Sequence, residues 1–237
     1  MKKSILITGA SKGIGLETSK RLHKIGHQVI GIARQPSSSF PGVFFPCDLS
    51  DEEQTDKIIH EIQKKHSVDA IINNVGIAHP QPLGDISLTT LHKVYDLNVR
   101  VAVQITQAFF KGMKEKKWGR IINIASRAIL GFVDRTSYAA AKSALIGCTR
   151  TWALELAPFG ITVNAVAPGP TETELFRQQR KAGSEEERKT LSTIPMGRIG
   201  QPREIAAAIE FLLSEDAGFI TGQVLHIDGG SSLPFAR

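Results

Sequence analysis

Short apolar runs alternate with amphipathic helical patterns along the chain, and this alternation restricts the possible folds more than any other feature of the sequence. The first run, residues 4–8, has an apolar centre and is typical of a strand buried on both faces. Parallel neighbouring strands need a long crossover connection, usually a helix. The alternation therefore predicts an α/β protein with a doubly wound parallel sheet, Rossmann-like, and helices on both faces.

The periodicity also predicts where the strands and helices lie. Strands are expected at residues 4–8, 28–33, 43–47, 69–73, 120–125, 161–167 and 223–227. Helices are expected at residues 14–24, 52–65, 88–116, 138–157 and 201–213. Ser50 is the expected N-cap of the second helix, and Ser137 that of the helix over 138–157.

The sequence predicts a single domain over residues 1–237, because no break in composition and no internal repeat divides it. Residues 170–193 depart from the regular rhythm. They are polar, rich in Glu, Arg and Gln, and follow a Pro-Gly pair. A solvated helical excursion over the strand ends fits this composition, and such excursions often act as lids.

The net charge of +6 raises the question of a nucleic-acid partner. The densest basic stretch, residues 111–117, also ends a long helical pattern, where cations are favoured by the helix dipole. We therefore interpret it as a solvated helix end and expect no nucleic-acid partner, with a basic binding patch as the alternative. A phosphate-bearing substrate or cofactor would use the surplus charge equally well.

Other patterns restrict location and metal chemistry. No apolar run reaches the roughly 18 residues that a membrane span needs, and the basic start at Met1 is followed by too few apolar residues for a signal peptide. We therefore expect a cytoplasmic protein. Cys47 and Cys148 lie far apart and are expected to be reduced thiols. The seven histidines show no ligand spacing, so no metal site is expected.

A glycine turn between the first strand and the first helix is suited to a dinucleotide. Gly9 permits a tight turn, Gly13 allows backbone to approach a pyrophosphate, and Gly15 allows the helix to pack on the strand. The helix that follows points its free amides and positive dipole end at the phosphates. The spacing is GxxxGxG rather than GxGxxG, so an ordinary glycine-rich turn is the alternative.

The end of the second strand indicates which dinucleotide is preferred. NAD sites usually place a carboxylate there, whereas this chain has Ala33 followed by Arg34. A guanidinium can clamp a 2′-phosphate, and Lys12 in the glycine turn adds a second cation nearby. We therefore predict NADP(H) as the cofactor, the alternative being that both cations are merely solvated.

Tyr138 and Lys142 are four residues apart in a predicted helix, so they share one face a turn apart. A nearby ammonium favours tyrosinate and lowers the phenol pKa from its usual value near 10. A phenol tuned in this way can give a proton to an alkoxide as a carbonyl is reduced, or take one in the reverse reaction. The spacing alone is weak; its position after the fifth predicted strand gives it weight.

Ser126 and Asn98 complete the candidate catalytic set. Ser126 closes the fifth predicted strand, at the edge where α/β proteins bind ligands, and its hydroxyl can hold a substrate carbonyl oxygen. Its alternative role is that of an N-cap. Asn98 is a poor mid-helix residue whose amide can hold a water in a proton relay. An Asn satisfied by its own helix is the alternative there.

Together these motifs resemble the short-chain dehydrogenase/reductase family over nearly the whole chain. The family's TGxxxGxG turn matches residues 8–15, its NNAG segment matches residues 73–76 with Val75 in place of Ala, and its PGxxxT segment matches residues 168–173. The resemblance implies a catalytic set of Asn98, Ser126, Tyr138 and Lys142. It implies cofactor contacts at Gly9, Ser11, Lys12, Gly13, Ile14, Gly15, Arg34, Asp48, Leu49, Asn74, Gly76, Tyr138, Lys142, Pro168, Gly169, Thr171 and Thr173.

Within that family, residues 164–169 and 194–202 look most like 3-oxoacyl-[acyl-carrier-protein] reductases. The implied activity is NADPH-dependent reduction of a 3-oxoacyl thioester, with Arg127, Arg135, Arg177 and residues 111–117 facing an acidic acyl carrier protein. A broader carbonyl, sugar or polyol oxidoreductase and a non-catalytic NADP(H) sensor are the alternatives. The family also implies a homo-oligomer, a tetramer, and residues 231–237 are a candidate contact with a neighbouring subunit.

Overall fold

The computed structural model describes residues 2–234, without the side chain of Gln179. Its parallel strands are β1 Ser4–Thr8, β2 Gln28–Ala33, β3 Val43–Pro46, β4 Ala70–Asn73, β5 Gly119–Ile124, β6 Ile161–Pro168 and β7 Val224–Ile227. Its helices are α1 Gly13–Lys24, α2 Glu52–Lys65, α3 Leu88–Tyr95, α4 Val101–Lys116, α5 Thr136–Leu156, α6 Glu174–Gln179, α7 Glu185–Ser192 and α8 Pro202–Leu213.

The strands form one sheet in the order β3-β2-β1-β4-β5-β6-β7, so the predicted doubly wound parallel architecture is confirmed. β1 pairs with β2 on one side and with β4 on the other, and the direction of winding reverses between β1 and β4. Open parallel sheets bind ligands beyond the carboxyl ends of the strands at such a reversal. The glycine turn that follows β1 lies at this point.

Alternating side chains of the strands form two apolar cores, one on each face of the sheet. Leu6 and Ile71 belong to the core beneath α2 and α4. Ile5 and Ile7 belong to the opposite core, where they join residues of α1 and α8. Ile5, Leu6 and Ile7 are almost fully buried, and each such side chain stabilises the fold by about 1.5–3 kcal/mol. The two cores hold the strand ends rigidly at the cleft described below.

The predicted helix over 88–116 is interrupted, and this prediction is corrected. Helices α3 and α4 are joined by a π-helical turn, Asp96–Arg100. Such turns arise where an extra residue is accommodated within a helix, and they occur frequently at functional sites. Asn98 lies inside this turn. Hydrophobic periodicity did not reveal it, because one inserted residue barely disturbs the pattern.

Two predicted helix caps are wrong. Asp51, not Ser50, caps α2, and its carboxylate accepts a hydrogen bond from the Gln54 N–H. The N-cap directly precedes the first helical residue, so Asp51 occupies that position. The backbone N–H and hydroxyl of Ser50 instead donate to Asp48. Ser137 lies within the first turn of α5, because that helix begins at Thr136.

Residues 170–193 form the helical excursion that the composition predicted, and we call it the lid. It contains α6 and α7, and Thr173 caps α6 by accepting a hydrogen bond from the Phe176 N–H. Arg177 forms ion pairs with Glu172 before α6 and with Glu187 in α7. The Arg177 guanidinium therefore ties the lid together, so this predicted carrier-protein contact is already engaged within the chain.

The basic stretch at residues 111–117 ends α4, as predicted. Lys114 lies 3.9 Å from the centre of the Phe159 ring, and Lys116 binds Asp69. Cys47, buried just beyond β3, and the partly buried Cys148 are free thiols. In the part of the chain that the structure describes, no helix is long and apolar enough to cross a membrane. Residues 2–234 also contain no cluster of His, Cys, Asp and Glu with metal-binding geometry.

Candidate active site

A large cleft lies over the carboxyl ends of the strands, between the glycine turn and the lid. Its volume is about 1920 Å³, well above the roughly 300–1,000 Å³ of a typical small-molecule pocket. This size accommodates a dinucleotide together with a substrate. Among the predicted residues, those lining the cleft are Gly9, Ser11, Lys12, Gly13, Ile14, Arg34, Asp48, Leu49, Asn74, Gly76, Ser126, Tyr138, Lys142, Pro168, Gly169, Thr171 and Thr173. Gly15 and Asn98 lie outside that lining.

The glycine turn has the backbone geometry that its sequence predicts. Gly9 and Gly13 have φ values of +67° and +53°, a region that side chains disfavour. A Cβ at Gly15 would lie 2.3 Å from the Gly9 carbonyl oxygen, so only glycine fits there. Asn74 donates from Nδ2 to the carbonyl oxygens of Thr8 and Gly9. The close packing at Gly15 and the hydrogen bonds from Asn74 therefore stabilise the conformation of the turn.

Helix α1 begins at the end of this turn. Its N-cap is Lys12, whose side chain makes no capping hydrogen bond, and its first turn contains no acidic residue. The first N–H groups of α1 thus face the cleft, together with the positive end of the helix dipole. Lys12 is exposed and adds its charge at the same place. This arrangement suits the phosphates of a dinucleotide.

Arg34 and Asp48 flank the far end of the cleft. Arg34 directly follows β2 and is exposed. The pKa of Asp48 is lowered, first by hydrogen bonds from the N–H and hydroxyl of Ser50 and then by the charge of Arg34. Asp48 is therefore an ionised carboxylate that already accepts hydrogen bonds from Ser50. The exposed guanidinium of Arg34 lies at the position where a 2′-phosphate is expected.

Tyr138 lies in the first turn of α5 beside Ser126, which ends the loop after β5. Both side chains line the cleft, and Ser126 Oγ accepts a hydrogen bond from the Ala128 N–H. Burial raises the pKa of the Tyr138 phenol, while the bond to Ser126 and the charge of Arg135 lower it. Ser126 is therefore both a cap, as the alternative interpretation had it, and a partner of Tyr138.

Lys142 is buried in α5, one turn after Tyr138. Its side chain is 3% exposed, and Nζ donates to the Ile124 carbonyl oxygen at 2.7 Å. Burial lowers the pKa of Lys142 to about 7 from its ordinary 10.5. Nζ lies 5.7 Å from the centre of the Tyr138 ring, yet the groups that lower the phenol pKa here are Ser126 and Arg135. With a pKa near 7, Lys142 titrates close to neutrality, so its action on Tyr138 through a positive charge stays a prediction.

Asn98 is 2% exposed, and among the described residues only its Nδ2, not its Oδ1, has hydrogen-bond partners. Nδ2 donates to the carbonyl oxygens of Val94 and Ile77, as the alternative interpretation of a locally bonded Asn proposed. Its Oδ1 is buried and has no partner among the described residues. A Cβ at Gly76 would lie 2.4 Å from Oδ1 and 3.2 Å from Lys142 Nζ. The amide oxygen and the amine therefore both lie close to Gly76.

The strand β6 ends beside the lid at the remaining predicted contacts. Thr171 donates from its hydroxyl to the Gly169 carbonyl oxygen, and Thr173 caps α6. A Cβ at Gly169 would lie 2.6 Å from Cβ of Asp228, so glycine is required for the close passage of the segment after β7. Residues 168–173 thus connect the end of β6 to the lid.

Sequence reasoning missed part of the cleft lining. Arg135 and Arg180 both line the cleft, and the first was assigned only to a carrier-protein surface. Arg135 stands three residues before Tyr138, a signal that the local sequence contains. Arg180 ends α6, and its position relative to Tyr138 depends on how the lid folds back. No pattern in the sequence predicts where Arg180 lies relative to Tyr138.

The chain matches the family profile described as "Enoyl-(Acyl carrier protein) reductase" over residues 9–232. A solved structure named as a short chain dehydrogenase/reductase family protein superimposes with a TM-score of 0.88, at 32% identity over 97% of each chain. The chain belongs to the short-chain dehydrogenase/reductase family. The predicted resemblance is confirmed, and with it an oxidoreductase of this family.

Two further relatives of this family are named by substrate or cofactor. The chain is 36% identical to the 3-oxoacyl-[acyl-carrier-protein] reductase of Vibrio cholerae, over 96% of both sequences. A solved structure titled "ElxO with NADP Bound" is 34% identical, with a TM-score of 0.89 and coverage of 98% of this chain and 99% of that one. Both likenesses extend over the glycine turn, the Tyr138 region and the lid of this short-chain family member.

Proposed function

We propose that this protein reduces the 3-oxo group of an acyl thioester, carried by acyl carrier protein, with NADPH. The observation that carries the proposal is that Tyr138 and Ser126 line one cleft together with the first residues of α1. The named relatives support the thioester substrate and the cofactor. A non-catalytic sensor has no use for a proton donor placed in this way.

The residues present fit the cofactor. Gly9 and Gly13, both at positive φ, would hold the phosphates together with the first N–H groups of α1, and Arg34 would hold the 2′-phosphate. Ser11, Ile14, Leu49, Asn74 and Gly76 border the path toward Tyr138, and Pro168, Gly169, Thr171 and Thr173 border its lid side. When bound, NADPH supplies the hydride.

The protein's own groups supply the proton. Ser126 holds the carbonyl oxygen and stabilises its developing negative charge, while Tyr138 donates a proton to that oxygen. Arg135 favours the resulting phenolate by its charge. Lys142 and a water accepted by the Oδ1 of Asn98, both beside Gly76, would pass a replacement proton to the phenolate. This order of events uses the buried amine as a proton carrier.

The matching family profile is named for an enoyl reductase, which reduces a carbon–carbon double bond. The hydroxyl pair of Ser126 and Tyr138 favours a carbonyl, because both groups can hydrogen-bond one reacting oxygen. A broader oxidoreductase for carbonyl compounds, sugars or polyols would differ in substrate but use the same chemistry. A comparison of substrates therefore decides among a 3-oxoacyl reductase, an enoyl reductase and the broader oxidoreductase.

NADPH oxidation, followed by absorbance, tests the proposal. We expect turnover with an acetoacetyl thioester of acyl carrier protein and little with the matched crotonyl thioester. Turnover confined to the crotonyl thioester, or to sugars and polyols, would contradict the thioester proposal. Tight NADPH binding with no turnover of any substrate would instead support the sensor.

The Arg34→Asp variant tests the cofactor assignment. Replacing the guanidinium with a carboxylate should lower the ratio of kcat/KM for NADPH over NADH about a hundredfold, because attraction to the 2′-phosphate becomes repulsion. Arg203→Asp, an exposed position in the first turn of α8, makes the same charge change away from the cleft. An equal change of the ratio in both variants would refute a specific contact at Arg34.

We also propose that residues 1–237 act as one domain, a cytoplasmic homotetramer that binds acyl carrier protein. The single sheet with an apolar core on each face supports a single domain. The free thiols support a reducing compartment such as the cytoplasm. Exposed Leu154 on α5 and Leu225 on β7 support association through those elements. The net charge of +6 suits an acidic carrier protein, although Arg127 already donates to the Ser231 carbonyl oxygen. Of the tail 231–237, residues 235–237 lie outside the described residues.

A further inference from the structure

An arginine at the end of the π-helical turn reaches across to the segment that follows β3. Arg100 Nη2 donates to the carbonyl oxygen of Leu49 at 2.7 Å, over a separation of 51 residues in the chain. Leu49 is 3% exposed, and it lines the cleft together with Asp48. Arg100 lies outside that lining among the described residues. The guanidinium therefore fixes, from outside the cleft, the backbone of a segment with two expected cofactor contacts.

The other nitrogens of this guanidinium are also engaged. Nε and Nη2 donate to the two carboxylate oxygens of Asp96, and Nη1 donates to Gln104 Oε1. Gln104 Nε2 in turn donates to Asp56 of α2 at 2.6 Å. Paired bonds to one carboxylate fix the plane of a guanidinium, and the Arg100 side chain is only 19% exposed. Asp96 and Gln104 thus hold Arg100 in the orientation in which it binds Leu49.

The ion pair between Asp96 and Arg100 spans the turn that contains Asn98. Asp96 and Arg100 are the first and last residues of the π-helical turn, and the next residue, Val101, donates its N–H to the Asp96 carbonyl oxygen. A hydrogen bond over five residues is the bond that defines a π turn. Asn98 is the middle residue of this turn. The ion pair therefore stabilises the backbone conformation that directs the buried amide of Asn98 toward the Ile77 carbonyl oxygen.

We propose that Arg100 is a positioning residue that couples the cofactor end of the cleft to Asn98. The segment at Asp48 and Leu49 loses freedom of movement when a dinucleotide occupies the cleft. The bond from Arg100 carries this restriction to the π-helical turn, which keeps Asn98 in place for the proton relay. This inference deepens the proposed function and rests on it. Arg100 acts only through the residues that it holds, because it lies outside the cleft lining of the described residues.

Lysine at this position separates the charge of Arg100 from its geometry. An ammonium can still pair with Asp96, but it is a point charge rather than a planar fork, so it cannot hold Asp96 and the Leu49 carbonyl oxygen in fixed directions at once. Arg100→Lys should therefore preserve the fold and lose the coupling. We expect its midpoint of thermal unfolding to stay within about 4 °C of that of the wild type.

Hydrogen exchange of the π-helical turn measures the coupling directly. The probe is 2′,5′-ADP, the adenosine half of NADPH, which lacks the nicotinamide; its Kd is measured by calorimetric titration. In the wild type, saturating 2′,5′-ADP should slow amide exchange of residues 96–101 about tenfold, an amount within the ordinary range of coupling between two sites. In Arg100→Lys, the saturated and free proteins should exchange these amides at rates within about twofold of each other.

Arg21→Lys is the matched control. Arg21 joins α1 to α8 through Glu210, its side chain is 43% exposed, and it lies outside the cleft lining of the described residues. This variant makes the same chemical change in another arginine that joins two elements, and its π-helical turn should respond to 2′,5′-ADP as in the wild type. An equal response in Arg100→Lys, a loss of response in both variants, or no response of the wild type at saturation overturns the coupling.

Steady-state kinetics measure the consequence for the reaction. With the acetoacetyl thioester and saturating NADPH, kcat of Arg100→Lys should fall about tenfold because a misplaced Asn98 hinders proton transfer, while KM for the thioester stays within about twofold. The stoichiometry of 2′,5′-ADP binding gives the fraction of active protein, so loss of folded protein does not imitate this result. A kcat equal to that of the wild type would also overturn the positioning role.

Failure of the proposed function gives a different set of results. A wild type that reduces no carbonyl compound, but whose π-helical turn responds to 2′,5′-ADP through Arg100, would refute the reduction at Tyr138 and leave the coupling standing. Turnover in the wild type with an unresponsive turn would refute the coupling and leave the reduction standing. Failure of the wild type to bind 2′,5′-ADP would refute the cofactor assignment and the coupling together.

Discussion

In the Tyr138→Phe variant, kcat for carbonyl reduction is expected to fall about a thousandfold while the Kd for NADPH stays within about twofold of the wild type. Phenylalanine keeps the ring that packs at the start of α5 and removes only the hydroxyl. The reacting oxygen then has Ser126 as a hydrogen-bond donor but no group able to give up a proton readily. The loss therefore falls on the chemical step rather than on binding.

The chain offers a matched control for this experiment. Its only other tyrosine, Tyr95, lies at the end of α3 and is 47% exposed. Tyr95→Phe removes an equivalent hydroxyl outside the cleft lining of the described residues, and its kcat should equal that of the wild type. Single-turnover NADPH oxidation measures the chemical step, and fluorescence titration measures NADPH binding. Retention of more than about a tenth of kcat in Tyr138→Phe would exclude the phenol as the proton donor.

The fold was accessible from the sequence because local pattern and tertiary structure agree. The run at β1 is apolar because the strand is buried on both faces, and the turn after it needs glycine at Gly9 and Gly15 for backbone reasons alone. Strands and main helices were predicted to within about two residues for the same reason. The helix over 88–116 was the exception, since the π turn around Asn98 leaves the hydrophobic pattern nearly intact.

The electrostatics of the candidate site were less accessible. The four-residue spacing of Tyr138 and Lys142 correctly puts them one turn apart, but the effect of an ammonium depends on its charge. Burial beneath Gly76 and beside the Ile124 carbonyl oxygen lowers the pKa of Lys142, a property of the folded state that spacing does not contain.

Without added dinucleotide, the wild-type protein should become more stable relative to a Lys142→Met variant as pH rises from about 7 to about 10. Lys142 has a pKa of about 7 in the folded protein and of 10.5 when solvated. Between these values the unfolded chain binds a proton that the folded chain does not, so the free energy of unfolding rises with pH. The stabilising contribution is complete above the solvated value and is lost as pH falls toward 7.

Integrated over that window, the difference amounts to the order of 4 kcal/mol. Methionine fills a similar volume and does not titrate, so groups common to both proteins cancel in the comparison. Urea unfolding followed by circular dichroism at several pH values gives the two free energies, and Lys111→Met, on the exposed end of α4, controls for the loss of a solvated ammonium. Parallel pH curves for the wild type and Lys142→Met would mean that Lys142 keeps its charge in the folded state. In that case the buried amine acts on Tyr138 by its charge, as the sequence predicted, and its proposed role as a neutral proton carrier is refuted.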